Sequence, residues 1–200
     1  MGQTKHLKKN KMNTKDKSIE ELKRFYAEVA QAIWFLMNAC VHKEGDRKLL
    51  KTDKPFVMHS LTMAFKLLEQ GYDKEVILGA ILHDLLEDAQ VEIQTIKEKF
   101  GDKVARIVKA CSFDESIEDK KERYKELFNR VKKEGREALI VKASDILDNS
   151  NYFHFVENPR VQEQLLEKWS YFLDVAKDVS DEPIFQELVN RINLLTQKQN

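Results

Sequence analysis

Apolar residues along most of this chain recur every three or four positions, the spacing that gives a helix one buried stripe. From residue 19 to about 42 the stripe runs Leu22, Phe25, Val29, Ile33, Leu36, Met37 and Cys40. Ser18 with Glu21 three residues on predicts a capping box at its start, and Gly45 an end. The same period predicts helices over 56–70, over a segment that Asp73 can cap and that carries residues 81–89, over 92–100 and over 102–112. Ser116 with Asp119 reads as a second capping box, opening a charged helix that ends near Gly135. The most apolar stretch follows at 136–151, and Pro159 and Pro183 each suit a first helical turn. No stretch alternates with period two. The expectation is an all-α fold, a single helical bundle over 18–200. Trp34, Phe35, Trp169, Phe172 and Phe185 fall on the apolar stripes and are expected in its core.

Charge adjusts this picture at one end. The 200 residues carry 34 basic and 34 acidic side chains, yet 1–17 hold six lysines against Asp16 alone and lack periodicity. That segment reads as a disordered basic tail. The remainder is net acidic, which argues against a nucleic-acid partner. No run of about 18 apolar residues suggests a membrane span, and no apolar stretch follows the basic N-terminus as in a signal peptide. The expected location is the cytoplasm. Cys40 and Cys111 form no zinc-type pair and are expected as buried thiols.

The stretch ILHDLLEDA, 81–89, breaks the plain pattern. His83, Asp84, Glu87 and Asp88 sit among Ile81, Leu82, Leu85 and Leu86, where desolvation penalises charge. Helical spacing lets all four face one region. Carboxylates so close repel unless a cation lies between them or one stays protonated. A divalent metal would relieve that repulsion, and it needs further ligands. His59 opens the preceding helix. Asp145, with Asn149 one turn on, lies in the apolar ALIVKASDILDNS. A histidine–aspartate pair alone is ordinarily a surface or cap pair; the conjunction with His59 and Asp145 is what carries the metal reading. Two imidazoles and two carboxylates suit Mn²⁺, Fe²⁺ or Zn²⁺ better than Ca²⁺ or Mg²⁺.

The pattern His59, His83-Asp84, Glu87-Asp88, Asp145 resembles the signature of the HD-domain metal-dependent phosphohydrolases. It is most similar to the small, hydrolase-only members of the RelA/SpoT family, with KKERY and VKASDILDN resembling two further segments. The resemblance runs from about residue 25 to 178. It implies ligation of one Mn²⁺ by His59, His83, Asp84 and Asp145, and handling of the nucleophilic water by Glu87 and Asp88. It implies hydrolysis of the nucleotide (p)ppGpp at its 3′-pyrophosphate, with Arg47, Lys48, Lys142 and Asn149 around the substrate. Arg123, on the charged helix, is expected to reach toward the site. Ala89, Tyr124, Asp148 and the run Asn149-Ser150-Asn151 depart from the usual pattern. Another nucleotide or phosphate ester as substrate, and an idle nucleotide sensor, stay open as alternatives. So does oligomeric state, a homodimer included.

Overall fold

The computed structural model describes residues 18–41 and 56–197. The tail 1–17 and the basic loop 45–55 lie outside the described residues, as does His42. The described residues are helical throughout, joined by turns: α1 (Ile19–Val41), α2 (Phe56–Glu69), α3 (Lys74–Leu82), α4 (Leu85–Asp88), α5 (Ile93–Phe100), α6 (Asp102–Cys111), α7 (Lys120–Glu134), α8 (Arg136–Ser150), α9 (Pro159–Val175) and α10 (Pro183–Gln197). Among them, no helix is long and apolar enough to cross a membrane.

The helix ends follow local chemistry. At α1, the Ser18 backbone N–H donates to Glu21 Oε2 at 2.9 Å, and the Glu21 N–H donates back to Ser18 Oγ at 3.2 Å. This is the reciprocal pair expected from the sequence. At α7 the expectation is corrected. Asp119, not Ser116, is the cap, and its Oδ1 accepts from the Glu122 N–H at 2.8 Å. Ser116 instead donates both its N–H and its hydroxyl to Asp114. Asp73 occupies the N-cap position of α3 but accepts no capping bond. Gly101 and Gly135 join consecutive helices at φ of +89° and +115°, a region that side-chain-bearing residues seldom adopt.

Two helices form the centre. Every residue of α3 from Val76 to Leu82 is buried, as is every residue of α8 from Ala138 to Asp148. Helices apolar all round belong inside. They pack on each other, with α2 against both and α6 against both. Gly79 makes the crossing possible: a Cβ there would lie 2.8 Å from Ile107 Cγ2 on α6 and 3.4 Å from Val141 Cγ2 on α8. At the start of α8, Arg136 Nε donates to Glu182 Oε1 at 2.7 Å and its guanidinium lies over the Tyr72 ring. Tyr72 in turn accepts from the Ile184 N–H, so this end of α8 is tied to α10.

Trp169, Phe172 and Phe185 enter the core as expected. Trp34 does not: it is 65% exposed, and Phe35 is half-buried. The α1 stripe that packs is Phe25, Ala32 and Leu36, one step round from Trp34. Cys111 is buried and Cys40 only half so.

Candidate metal centre

Three helices, α2, α4 and α8, and the turn between α3 and α4 bring the ionisable residues to one place. The HDxxED segment is not the continuous helix the period suggests. α3 stops at Leu82, His83 and Asp84 form a turn, and α4 is a single turn closed by Asp88 N–H to Asp84 O and Ala89 N–H to Leu85 O. Gln90 then turns the chain at φ +50°. The break leaves His83 fully buried, Asp84 and Glu87 half-buried and Asp88 exposed.

Facing ligand atoms of His59, His83 and Asp145 all lie within 4.8 Å of one another. His59 Nε2 is 3.2 Å from Asp145 Oδ1, and His83 Nε2 is 3.8 Å from the same oxygen. Asp84 completes the cluster, with Oδ1 3.0 Å from His83 Nε2 and Oδ2 3.9 Å from His59 Nε2. Both imidazoles are oriented from behind. A carboxylate or carbonyl can only accept, so His59 Nδ1 donates to Asp148 Oδ2 at 2.6 Å and His83 Nδ1 donates to Ala80 O at 2.9 Å. Each therefore turns its Nε2 inward, in the tautomer a metal ligand needs. His83 Nε2 is buried and accepts no hydrogen bond. An orphaned imidazole nitrogen beside two carboxylates is costly in a dry interior, and a divalent cation fits that donor set.

The electrostatics are consistent with a cation site. Burial pushes the Asp145 carboxyl up, but the Lys142 ammonium beside it holds it low. At Asp84 burial acts the same way and is opposed by a positive charge placed beside its carboxylate, as on a charged His83 ring. Glu87 differs: burial raises it, against the pull of the Phe113 N–H that donates to its Oε1 at 2.6 Å.

A cavity of about 270 Å³ opens on this cluster, lined by His59, Asp84, Glu87, Asp88, Asp145 and further side chains. Lys142 and Asn149, expected around the substrate, line it too. Both also grip Asp145: Lys142 Nζ donates to Oδ2 at 2.9 Å and Asn149 Nδ2 to Oδ1 at 2.5 Å. Arg47 and Lys48 lie outside the described residues. Arg123 does not reach the metal cluster; its guanidinium donates to the carbonyls of Ile117 and Glu118. Sequence reasoning took Asp148 as a departure from pattern and missed its bond to His59. It also missed Lys168, Phe113 and Phe128 on the cavity wall. A lysine inside the apolar run of α9 was the one signal available for the first.

A family model described as HD domain matches residues 36–162, and the chain belongs to that family. An HD domain implies a divalent metal, and the His/His/Asp cluster is where the described residues could hold it. Among curated proteins, the chain is similar to the guanosine-3′,5′-bis(diphosphate) 3′-pyrophosphohydrolase of Aquifex aeolicus, 35% identical over 67% of this chain and 19% of that one. It is similar to the Drosophila melanogaster enzyme of the same activity named MESH1, 28% identical over 54% of this chain and 60% of that one. The chain spans about a fifth of the length of the first curated relatives it matches. Among solved structures, a metazoan ortholog of SpoT described as hydrolysing ppGpp shares the fold, with a TM-score of 0.71 at 21% identity, over 84% of this chain and 95% of that one.

Proposed function

We propose that this chain hydrolyses ppGpp to GDP and pyrophosphate, and pppGpp to GTP and pyrophosphate, using Mn²⁺, as a cytoplasmic enzyme. The observation that carries the reading is the inward-facing His83 Nε2, which accepts no hydrogen bond and clusters with His59, Asp84 and Asp145, with Glu87 one turn away. The names of the curated relatives supply the substrate. His59, His83, Asp84 and Asp145 would hold the cation. When bound, Mn²⁺ supplies Lewis acidity toward a water and a phosphoryl oxygen.

In the reaction, a water oxygen bonds to the phosphorus attached to the 3′ oxygen, and the bond between that phosphorus and the 3′ oxygen breaks. The 3′ oxygen ends with a proton and pyrophosphate departs. Glu87 takes the proton of the water. Its raised basicity suits that task near neutral pH, and the Phe113 N–H on Oε1 fixes which oxygen works. Asp88, at the exposed end of the same turn, orients the water from the cavity mouth. Lys142 places a buried positive charge beside the phosphoryl oxygens while holding Asp145 in line. Asn149 lines the same wall, and Arg47 and Lys48 are assigned to the nucleotide by resemblance alone.

The test is pyrophosphate release from ppGpp with Mn²⁺ supplied. Glu87→Gln should lower kcat by about 10²–10⁴-fold while metal content stays unchanged. Release of inorganic phosphate instead of pyrophosphate, or unimpaired turnover by the variant, would sink the assignment.

A further inference from the structure

The metal cavity does not end at its own wall. A second cavity, of about 420 Å³, adjoins it, and Phe113 and Lys168 line both. Lys120, Lys121 and Arg123 surround the second cavity and make it cationic. Two of these spend their charge locally. Lys121 pairs with Glu167, and Arg123 donates to two backbone carbonyls.

Lys168, on the boundary, is different. Its Nζ lies 5.2 Å from the centroid of the Phe113 ring and 6.0 Å from that of Phe128. Among the described residues, no carboxylate or carbonyl accepts a hydrogen bond from it. Ring faces compensate an ammonium only in part. Burial and the nearby Lys142 disfavour its charge and outweigh the pull of Asp145 and Glu87, so an arriving anion gains more here than at a solvated lysine. Covering the rings with its methylene stem would need no ammonium at this depth.

We propose that Lys168 is a specificity-determining residue: it binds the phosphoryl chain at the far end of the substrate, across the junction of the two cavities, and selects nucleotides phosphorylated on both the 3′ and 5′ sides. This rests on the function proposed above and adds the residue that reads the non-reacting end. A nucleotide with one phosphoryl chain on the metal side and another on the Lys168 side spans both cavities. A nucleotide lacking the second chain leaves the ammonium uncompensated.

The test is calorimetric binding of ppGpp and of guanosine 3′-diphosphate, which lacks the 5′ chain, in the Glu87→Gln background with Mn²⁺. Lys168→Met keeps the stem and removes the charge. It should weaken ppGpp binding about tenfold, the scale of one charge-assisted hydrogen bond, and leave guanosine 3′-diphosphate within about twofold. Lys168→Arg should restore ppGpp binding, and the melting temperatures of both variants should match the parent's. Equal losses for both ligands, no loss for either, or an arginine variant as weak as the methionine one would each overturn the proposal. Selective loss without pyrophosphate release by the chain with Glu87 intact overturns only the function proposed above. Absence of ppGpp binding before Lys168 is changed overturns both.

Discussion

Asp148 acts through another side chain. Its Oδ2 accepts from His59 Nδ1 at 2.6 Å, and both residues are buried. Without that carboxylate, the His59 ring is free to rotate and to carry its proton on the inward nitrogen. Asp148→Ala should therefore weaken metal binding by about 10–100-fold, with turnover recovered at raised Mn²⁺; a metal titration monitored by activity reads it. A variant that stays inactive at saturating metal would show a role beyond orienting His59. The residue pair spans 89 positions, which explains why the sequence could not display it. In the sequence Asp148, three residues from Asp145 on α8, reads only as a departure from the family pattern. His59, His83, Asp84 and Asp145 were legible for the opposite reason. Each is a charged or titratable group set in apolar surroundings, so its oddness is local.

At the scale of elements, the crossing of α3 with α6 and α8 leaves no room at Gly79. Gly79→Ala should cost about 1–3 kcal/mol through overpacking, despite alanine's better helix propensity. It should also displace His83, one turn on, and so weaken the metal site. Paired chemical denaturation and metal titration separate the two effects; a stabilised variant would contradict the packing argument. Helix boundaries were readable where side chains supply them, as at Ser18–Glu21 and Pro159. The break between α3 and α4 was not. Ile81, Leu82, Leu85 and Leu86 keep helical period straight across it. The break is held partly by a local bond, His83 Nδ1 onto Ala80 O, and partly by tertiary ones: the His83 carbonyl accepts from Ser112 Oγ, and Glu87 is held by Phe113. Trp34 illustrates the converse limit. Period alone placed it in the core, but the face of α1 that packs is set by what α2 and α3 present to it.

Taken as a molecule, the bundle divides the site between a rigid and a shallow part. The all-α class was legible because buried helices leave a three-to-four-residue period, while the second cavity was not, since it forms where α7 and α9 face each other across residues distant in sequence. Lys142, Asp145 and Asn149 ride on α8, which is buried from Ala138 to Asp148 and tied to the start of α10 through Arg136 and Glu182. Glu87 and Asp88 ride on a turn of four residues with an exposed end, and Asp84 immediately precedes it. The two parts should therefore open on different free-energy scales. In native-state hydrogen exchange without metal, amides of α8 should exchange only with global unfolding, and those of α4 through a local opening; equal protection would refute this. Metal binding would then slow exchange chiefly at α4, because a cation gripping both parts fastens the turn that fluctuates to the helix that does not. In that sense the burial of α8 gives the cation a second consequence: it makes the centre a sensor of its own occupancy, readable from the backbone of one short turn.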